Sequence, residues 1–359
     1  MKKSLTVLLI LVTCFSMVFV SCSKKTASSA AATTPAATTA QTKSATQLKV
    51  ALIVENTVDD KGWCQAMHDG IVQAMAELPA GTIAEYKAVE NTKPADAKAA
   101  VSTYVNLGYN IIILHGSQFR SVVEEVYKEY PNVMFAFGTT TDIIGSNVFS
   151  YMPQSEETGF LSGIVAGLTT KVNKVALVGP IDGGDAARYD RGFVLGVQSV
   201  NKDAKISVSY IGSFGDVVKS NEAAKLYIEA GNDVLTGSSQ QALGALRAVA
   251  EYRDKDIWWV GQDTAQLALD EGYKCIAASS YNYKAVLIGL VQAFQSGKLG
   301  GDIIPMNFSN GGFIWKWNEE KCADKITPEI RKAVEDKLAE FRTQPNLVSN
   351  WSDVKYADL

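Results

Sequence analysis

Histidine is nearly missing from this chain: His68 and His115 are the only two among 359 residues, and neither Cys-x-x-Cys nor His-Glu-x-x-His occurs. Ready-made zinc or redox motifs are thereby excluded. Cysteine is also scarce. Beyond Cys14 and Cys22 only Cys64, Cys275 and Cys322 remain, an odd number that gives no disulfide framework and permits one pair at most. There is no excess of positive charge either. Lys and Arg number 34 against 38 Asp and Glu, a net charge of -4, so the basic surface that nucleic acid requires is lacking. The apolar run at residues 5–20 falls short of the ~18 residues of a membrane-spanning helix.

That run is informative for what surrounds it. Lys2 and Lys3 precede it and small Ser21 follows it, directly before Cys22, which is the layout of a cleaved export signal. With cysteine at the cleavage site, the segment resembles a bacterial lipoprotein lipobox, Phe19 standing where leucine is usual. Residues 1–21 therefore read as the signal and Cys22 as a lipidated mature N-terminus, against the simpler alternatives of an uncleaved anchor or a plain signal peptide. Residues 22–47 are chiefly Ala, Thr, Ser and Lys, with one Pro and no aromatics, a composition that buries too little apolar surface to order itself and reads as a tether. An exported domain on such a leash serves capture, sensing or surface enzymology.

Residues 48–359 suit two lobes of ordinary domain size. Short β-branched runs alternate with amphipathic stretches, beginning with a strand at 48–54 and a helix at 62–78. The alternation continues through strands at 83–89, 109–114, 133–137 and 147–151, with helices at 94–107 and 119–130 between them. A second series has helices at 156–168, 189–200, 221–230, 240–252 and 265–271 and strands at 174–178, 205–210, 233–235, 257–260 and 275–278. This pattern, run twice, predicts an α/β protein of two doubly wound, Rossmann-like lobes. Ligands of such sheets bind beyond the carboxyl ends of the strands. The loops at those ends are rich in Gly, Ser, Asp, Asn and Gln, with Trp63, Phe119, Phe214, Tyr281 and Tyr283 interleaved, which suits an uncharged, planar, hydroxylated or amide-bearing small molecule.

Several of these loops resemble the basic membrane protein family of substrate-binding lipoproteins, which includes purine-nucleoside receptors. The resemblance is carried by Asp60-Lys61-Gly62-Trp63-Cys64-Gln65 with Gly70, by the segment from Glu157 to Gly163, and by Gly192 to Gly196 with Val200-Asn201. Gly212 to Asp216, Gly261-Gln262-Asp263 with Gln266, and residues 279–286 complete it. It implies a type I periplasmic-binding-protein-like fold that closes on a purine nucleoside or base and delivers it to the permease and ATPase of an ABC importer. Such a protein is a monomer, needs no cofactor and is not an enzyme. Carried over residue by residue, Asp263 and Glu157 would hold ribose hydroxyls, while Trp63 and Phe214 would stack on the base. Charge-assisted bonds from vicinal hydroxyls to a carboxylate make the first role chemically sound. Phe119 is a further aromatic candidate. Cys64 replaces an asparagine usual in nucleoside receptors, Thr139 an aspartate, and Asn282 a lysine. The last change, between Tyr281 and Tyr283, is similar to an adenine-binding branch, and all three are candidate contacts.

Simpler roles stand beside these. Asp263 could only cap a helix, and Glu157 only complement a helix dipole. Asp216 reads as a loop or cap residue, and Asp185 with Arg188 as a solvated loop, the alternative being a loop that meets the opposite lobe on closure. Cys64 and His68, spaced i and i+4, share a helix face, the one foothold for an enzyme or a metal site, although no third orienting group accompanies them. A solute sensor or surface receptor is the other alternative. Lobe 1 is expected to comprise 48–153 and 279–304, and lobe 2 154–278 and 305–345. Residues 346–359 form a tail, and the lobes close about crossovers near 151–155, 278–282 and 304–308.

Overall fold

The computed structural model describes residues 47–60 and 62–358. The signal segment, Cys22 and the tether to residue 46 lie outside the described residues, as does Lys61. Chain order begins with β1 (Leu48–Ile53), α1 (Trp63–Glu77), β2 (Ile83–Val89), α2 (Pro94–Asn106), β3 (Ile111–His115), α3 (Arg120–Glu129), β4 (Met134–Gly138) and β5 (Val148–Pro153). It continues with α4 (Glu156–Thr169), β6 (Lys174–Gly179), α5 (Gly184–Val200), β7 (Lys205–Tyr210), α6 (Val217–Glu229), β8 (Val234–Gly237), α7 (Ala242–Glu251), β9 (Trp258–Gly261) and β10 (Cys275–Tyr281). Last come α8 (Lys284–Gln295), β11 (Asp302–Met306), β12 (Phe313–Trp317), α9 (Glu319–Cys322) and α10 (Pro328–Thr343).

The strands form two six-stranded sheets, ordered β11-β5-β4-β3-β1-β2 and β12-β10-β9-β8-β6-β7. The first five strands of each in chain order, β1 to β5 and β6 to β10, repeat one doubly wound order, with the reversal between β1 and β3 in the first sheet and between β6 and β8 in the second. The expected α/β architecture of two Rossmann-like lobes is thus present. Continuous burial explains the continuous apolar runs. Leu52 sits opposite Ile113 and Ile113 opposite Ala136, and helices cover both faces, as parallel sheets require. On one side of the first sheet Met67 and Ile71 of α1 pack with Leu287 and Leu290 of α8; on the other, Val101 of α2 meets Val123 of α3. In the second lobe, α4, α5 and α10 cover one face through Leu161, Phe193 and Phe341, while α6 and α7 cover the other through Ala224 and Leu246.

The chain passes between sheets after Pro153, after Tyr281 and after Met306, because β11 joins β5 in parallel and β12 joins β10 antiparallel. Side chains bind these passages together. Asn307 Nδ2 donates to Gln154 Oε1 at 2.7 Å, and Gln154 in turn contacts Asn346 in the tail. Tail residues Trp351 and Tyr356 lie under Arg188 and Arg191, 4.9 and 5.0 Å from guanidinium carbon to ring centre.

The glycines of the segments 157–163 and 192–196 have a packing reason. A Cβ on Gly163 would stand 2.2 Å from the Phe193 carbonyl oxygen, and one on Gly196 2.1 Å from that of Phe160, so α4 and α5 meet backbone to backbone. The expected helix at 265–271 is two 3-10 segments, Thr264–Ala268 and Asp270–Lys274, separated by extended Leu269. Gly272 packs so closely on Leu267 that a Cβ would be 2.5 Å from its carbonyl oxygen. The α5 and α6 helices begin at Gly184 and Val217, several residues before the expected starts at 189 and 221. Asp216 caps α6, accepting from Lys219 N at 3.0 Å. Cys64, Cys275 and Cys322 are free, buried thiols.

Candidate functional site

A cleft of about 470 Å³ opens between the lobes, at the points where both sheets reverse their strand order. Its walls come from the loops after β1, β3 and β4 on one side and after β6, β7 and β8 on the other. Trp63 is presented by the loop that starts α1. Asp60 organises that loop: its Oδ1 accepts from Gly62 N at 3.0 Å and Gln65 N at 3.1 Å, and Oδ2 from Cys64 N at 3.2 Å, satisfying donors that a helix start leaves open.

The indole of Trp63 stacks on His115 at the end of β3, ring centres 4.4 Å apart and 10° from parallel. Tyr281 and Tyr283 meet it in T-shaped contacts at 5.1 and 5.6 Å. His115 is fully buried, with Nε2 3.1 Å from the Trp63 carbonyl and Nδ1 2.7 Å from the Tyr151 hydroxyl. A carbonyl only accepts, so Nε2 carries the proton and the Tyr151 hydroxyl donates to Nδ1. Burial lowers this imidazole from the usual 6.5 to about 3, the bond to Trp63 opposing, and His115 is neutral at ordinary pH.

On the opposite wall Asp185, in the first turn of α5, accepts from the Tyr281 hydroxyl at 2.7 Å. Burial raises its carboxyl, with the Tyr281 bond opposing. Tyr281 accepts in turn from Gln262 Nε2 at 3.0 Å, and Gln262 Oε1 accepts from Ser239 N at 2.8 Å. The lobes touch beside the cleft, where Gln240 Nε2 reaches Asp60 Oδ2 at 3.4 Å. Phe214, 43% exposed, offers an aromatic face from the second lobe.

Of the candidates from sequence, Trp63, Cys64, Thr139 and Phe214 line this cleft. Asp263 and Asn282 line a separate hollow of about 240 Å³ against α1, and Asp263 also borders a narrow gap shared with Trp63, Gln262 and Tyr281. Asp263 Oδ1 accepts from Ala265 N at 2.7 Å, the capping role, and Asn282 Nδ2 donates to the Gly311 carbonyl at 2.9 Å. Two candidates lie elsewhere. Phe119 is wholly buried with Ile112, Phe137 and Val123, because the chain enters a 3-10 turn at Ser117 that carries the ring back into the lobe. Glu157 is wholly buried behind the crossovers, its Oε2 accepting from Phe308 N at 2.9 Å. Burial, opposed by that bond, lifts its carboxyl to about 7.

The Cys64 and His68 pair does not form. Burial, reinforced by the neighbouring Asp60 charge, pushes the thiol well up, the reverse of what a nucleophile needs, and His68 Nδ1 bonds the Tyr86 hydroxyl at 2.9 Å instead. His115 and Asp185 are the site residues that patterning left without a ligand role. Their signal was positional: each follows a strand at the reversal of its sheet.

Fold and cleft together define a two-lobed solute-binding protein. The chain belongs to the Bmp family, described as ABC transporter substrate-binding protein, PnrA-like, which matches residues 47–342. It is 30% identical over 253 residues to a CD4+ T-cell-stimulating antigen of Listeria innocua, covering 68% of this chain and 70% of that one. It is 26% identical over 313 residues to the ABC transporter nucleoside-binding protein BmpA of Lactococcus lactis, covering 81% and 86%. Among solved structures, a solute-binding protein of an ABC transporter system from Aeropyrum pernix superposes with a TM-score of 0.71 at 18% identity, over 85% of this chain and 96% of that one. This last likeness concerns the fold.

Proposed function

We propose that this protein is the lipid-anchored, outward-facing receptor of an ABC importer and captures a purine nucleoside or purine base by lobe closure. The observation that carries the reading is the placing of Trp63 and Phe214 on opposite walls of one cleft. A flat heterocycle between two aromatic faces is held by stacking that needs no charge, and neutral Ser, Thr, Asn and Gln side chains around it supply orientation. The nucleoside-binding relative from Lactococcus lactis supports the ligand class. Asp263, which borders the gap beside Trp63, is the candidate acceptor for ribose hydroxyls, with Thr139 and Cys64 as candidate contacts from the cleft wall and Asn282 turned to the separate hollow. Ligand contacts made to both lobes favour the closed form, and that difference in affinity shifts the population. Anchoring through Cys22 would keep the receptor near its permease and ATPase.

The test is mass spectrometry of small molecules released from the purified protein, followed by calorimetric titration with adenine, guanine, adenosine, guanosine and inosine. A purine compound in the released fraction and saturable binding of at least one of the five are expected. A different co-purified compound, with no heat from any purine, would sink the proposal.

A further inference from the structure

The electrostatics of the cleft point to a selectivity beyond purine shape. Among the described residues its walls carry two ionisable carboxylates, Glu55 and Asp185, and no lysine or arginine. The cation closest in sequence to Asp185 is committed elsewhere, since Arg188 makes a two-pronged pair with buried Glu156. Two wall amides each spend one N–H on a carboxylate, Gln118 Nε2 donating to Glu55 at 2.9 Å and Gln240 Nε2 reaching Asp60 at 3.4 Å, and each keeps a second N–H and a carbonyl oxygen.

Resting on the nucleoside reading above, we infer that Asp185 is a specificity-determining residue: it accepts a hydrogen bond from an amino or hydroxyl group of the ligand and excludes phosphorylated forms of the same compound. Its position allows this. The Tyr281 hydroxyl donates to Oδ2 and fixes the carboxyl at the cleft wall, facing the space that Trp63 and Phe214 border. A carboxylate so held attracts donors through charge-assisted bonds and repels a phosphate, which meets no lysine or arginine among the described residues of the walls. Glu55 on the other lobe adds to the same field, so closure concentrates negative charge on the ligand from both sides. Discrimination of this kind works by repulsion of the wrong ligand more than by attraction of the right one.

The test compares adenosine with adenosine 5′-monophosphate on wild-type protein and Asp185→Asn by calorimetry, with Asp185→Ser as a second variant should the first fail to fold. Wild-type protein should bind adenosine at least about a hundredfold tighter than the monophosphate. In Asp185→Asn that ratio should fall roughly tenfold or more, adenosine weakening while the monophosphate gains, on the scale of one removed like-charge contact. An unchanged ratio in a folded variant that still binds adenosine would overturn the assignment of Asp185 alone. Equal weakening of both ligands would reduce Asp185 to a structural role and overturn it as well. Where wild-type protein binds guanosine or inosine instead of adenosine, that nucleoside and its 5′-monophosphate take the place of the adenosine pair; binding of no purine at all would overturn the nucleoside reading, and this inference with it.

Discussion

Trp63 is oriented before any ligand arrives, because His115 lies flat against it and binds its carbonyl. Ordering that would otherwise cost affinity at the moment of binding is already done. Trp63→Ala should therefore weaken purine binding by at least about tenfold, since one stacked aromatic face supplies roughly 1–3 kcal/mol; calorimetric affinity equal to wild type would refute the stacking role. Buried ionisable residues make a second prediction, with opposed signs. His115 takes up its proton near 6.5 when unfolded and only near 3 when folded, so its contribution to stability is present above 6.5 and is lost as pH falls from there towards 3. Glu157 runs the other way: protonated near 7 when folded and near 4.5 when unfolded, it favours the folded state fully below 4.5 and loses this as pH rises through 7. Between pH 7.5 and 5, His115→Asn should lose less stability than wild type and Glu157→Gln more, read as urea midpoints. Identical pH trends in all three proteins would contradict the assignment. At this scale the sequence was legible where a side chain follows a strand and stays in the loop, as Trp63 and Phe214 do. It was not legible for Phe119 and Glu157, whose direction depends on a 3-10 turn and on a crossover contact with Phe308, a residue 151 positions away.

The close pairing of α4 with α5 shows what the glycine-rich segments accomplish at the level of elements. Their spacing lets two helices approach until carbonyl oxygens occupy the places of missing side chains, a contact that no larger residue permits. Gly196→Ala should destabilise the protein by roughly 1–3 kcal/mol, the usual range for overpacking, while leaving the affinity of the folded fraction for its ligand within about twofold. A urea midpoint unchanged from wild type would show that the helices simply move apart. Strands were readable because parallel strands buried on both faces must be continuously apolar, as in β1, β3 and β4. Helix starts were less so. Gly184 to Arg188 and Val217 to Ser220 carry no large apolar side chain at regular helical spacing; the Asp216 cap starts α6, and small Ala186 and Ala187 are buried at the start of α5. Residues 265–271 carry a helical pattern, yet the close approach of Gly272 to Leu267 holds them in short 3-10 turns.

For the whole molecule, the proposed functional event is closure, and the Asp60 to Gln240 contact already links the lobes beside the cleft. A hydrogen bond to a charged group contributes on the order of 1.5–3 kcal/mol. Gln240→Ala should thus weaken ligand binding by about tenfold or more, chiefly through faster release, measured by stopped-flow fluorescence. Equal release rates would show that this bond does not stabilise the closed form. Two lobes, their winding and the inter-lobe cleft were legible in the repeated strand and helix pattern. The strand state of Asp302–Met306 and Phe313–Trp317 was not, because β11 and β12 take that form through pairing with β5 and β10.

That pairing has a consequence for how the protein comes to exist. The first sheet lacks its last edge strand until Met306 has been added, and α8, which covers Met67 and Tyr151, also arrives after the second lobe is largely made. Neither lobe can finish folding from a contiguous stretch of nascent chain. Completion of both sheets therefore waits on residues 302–317, which supply the last strand of each.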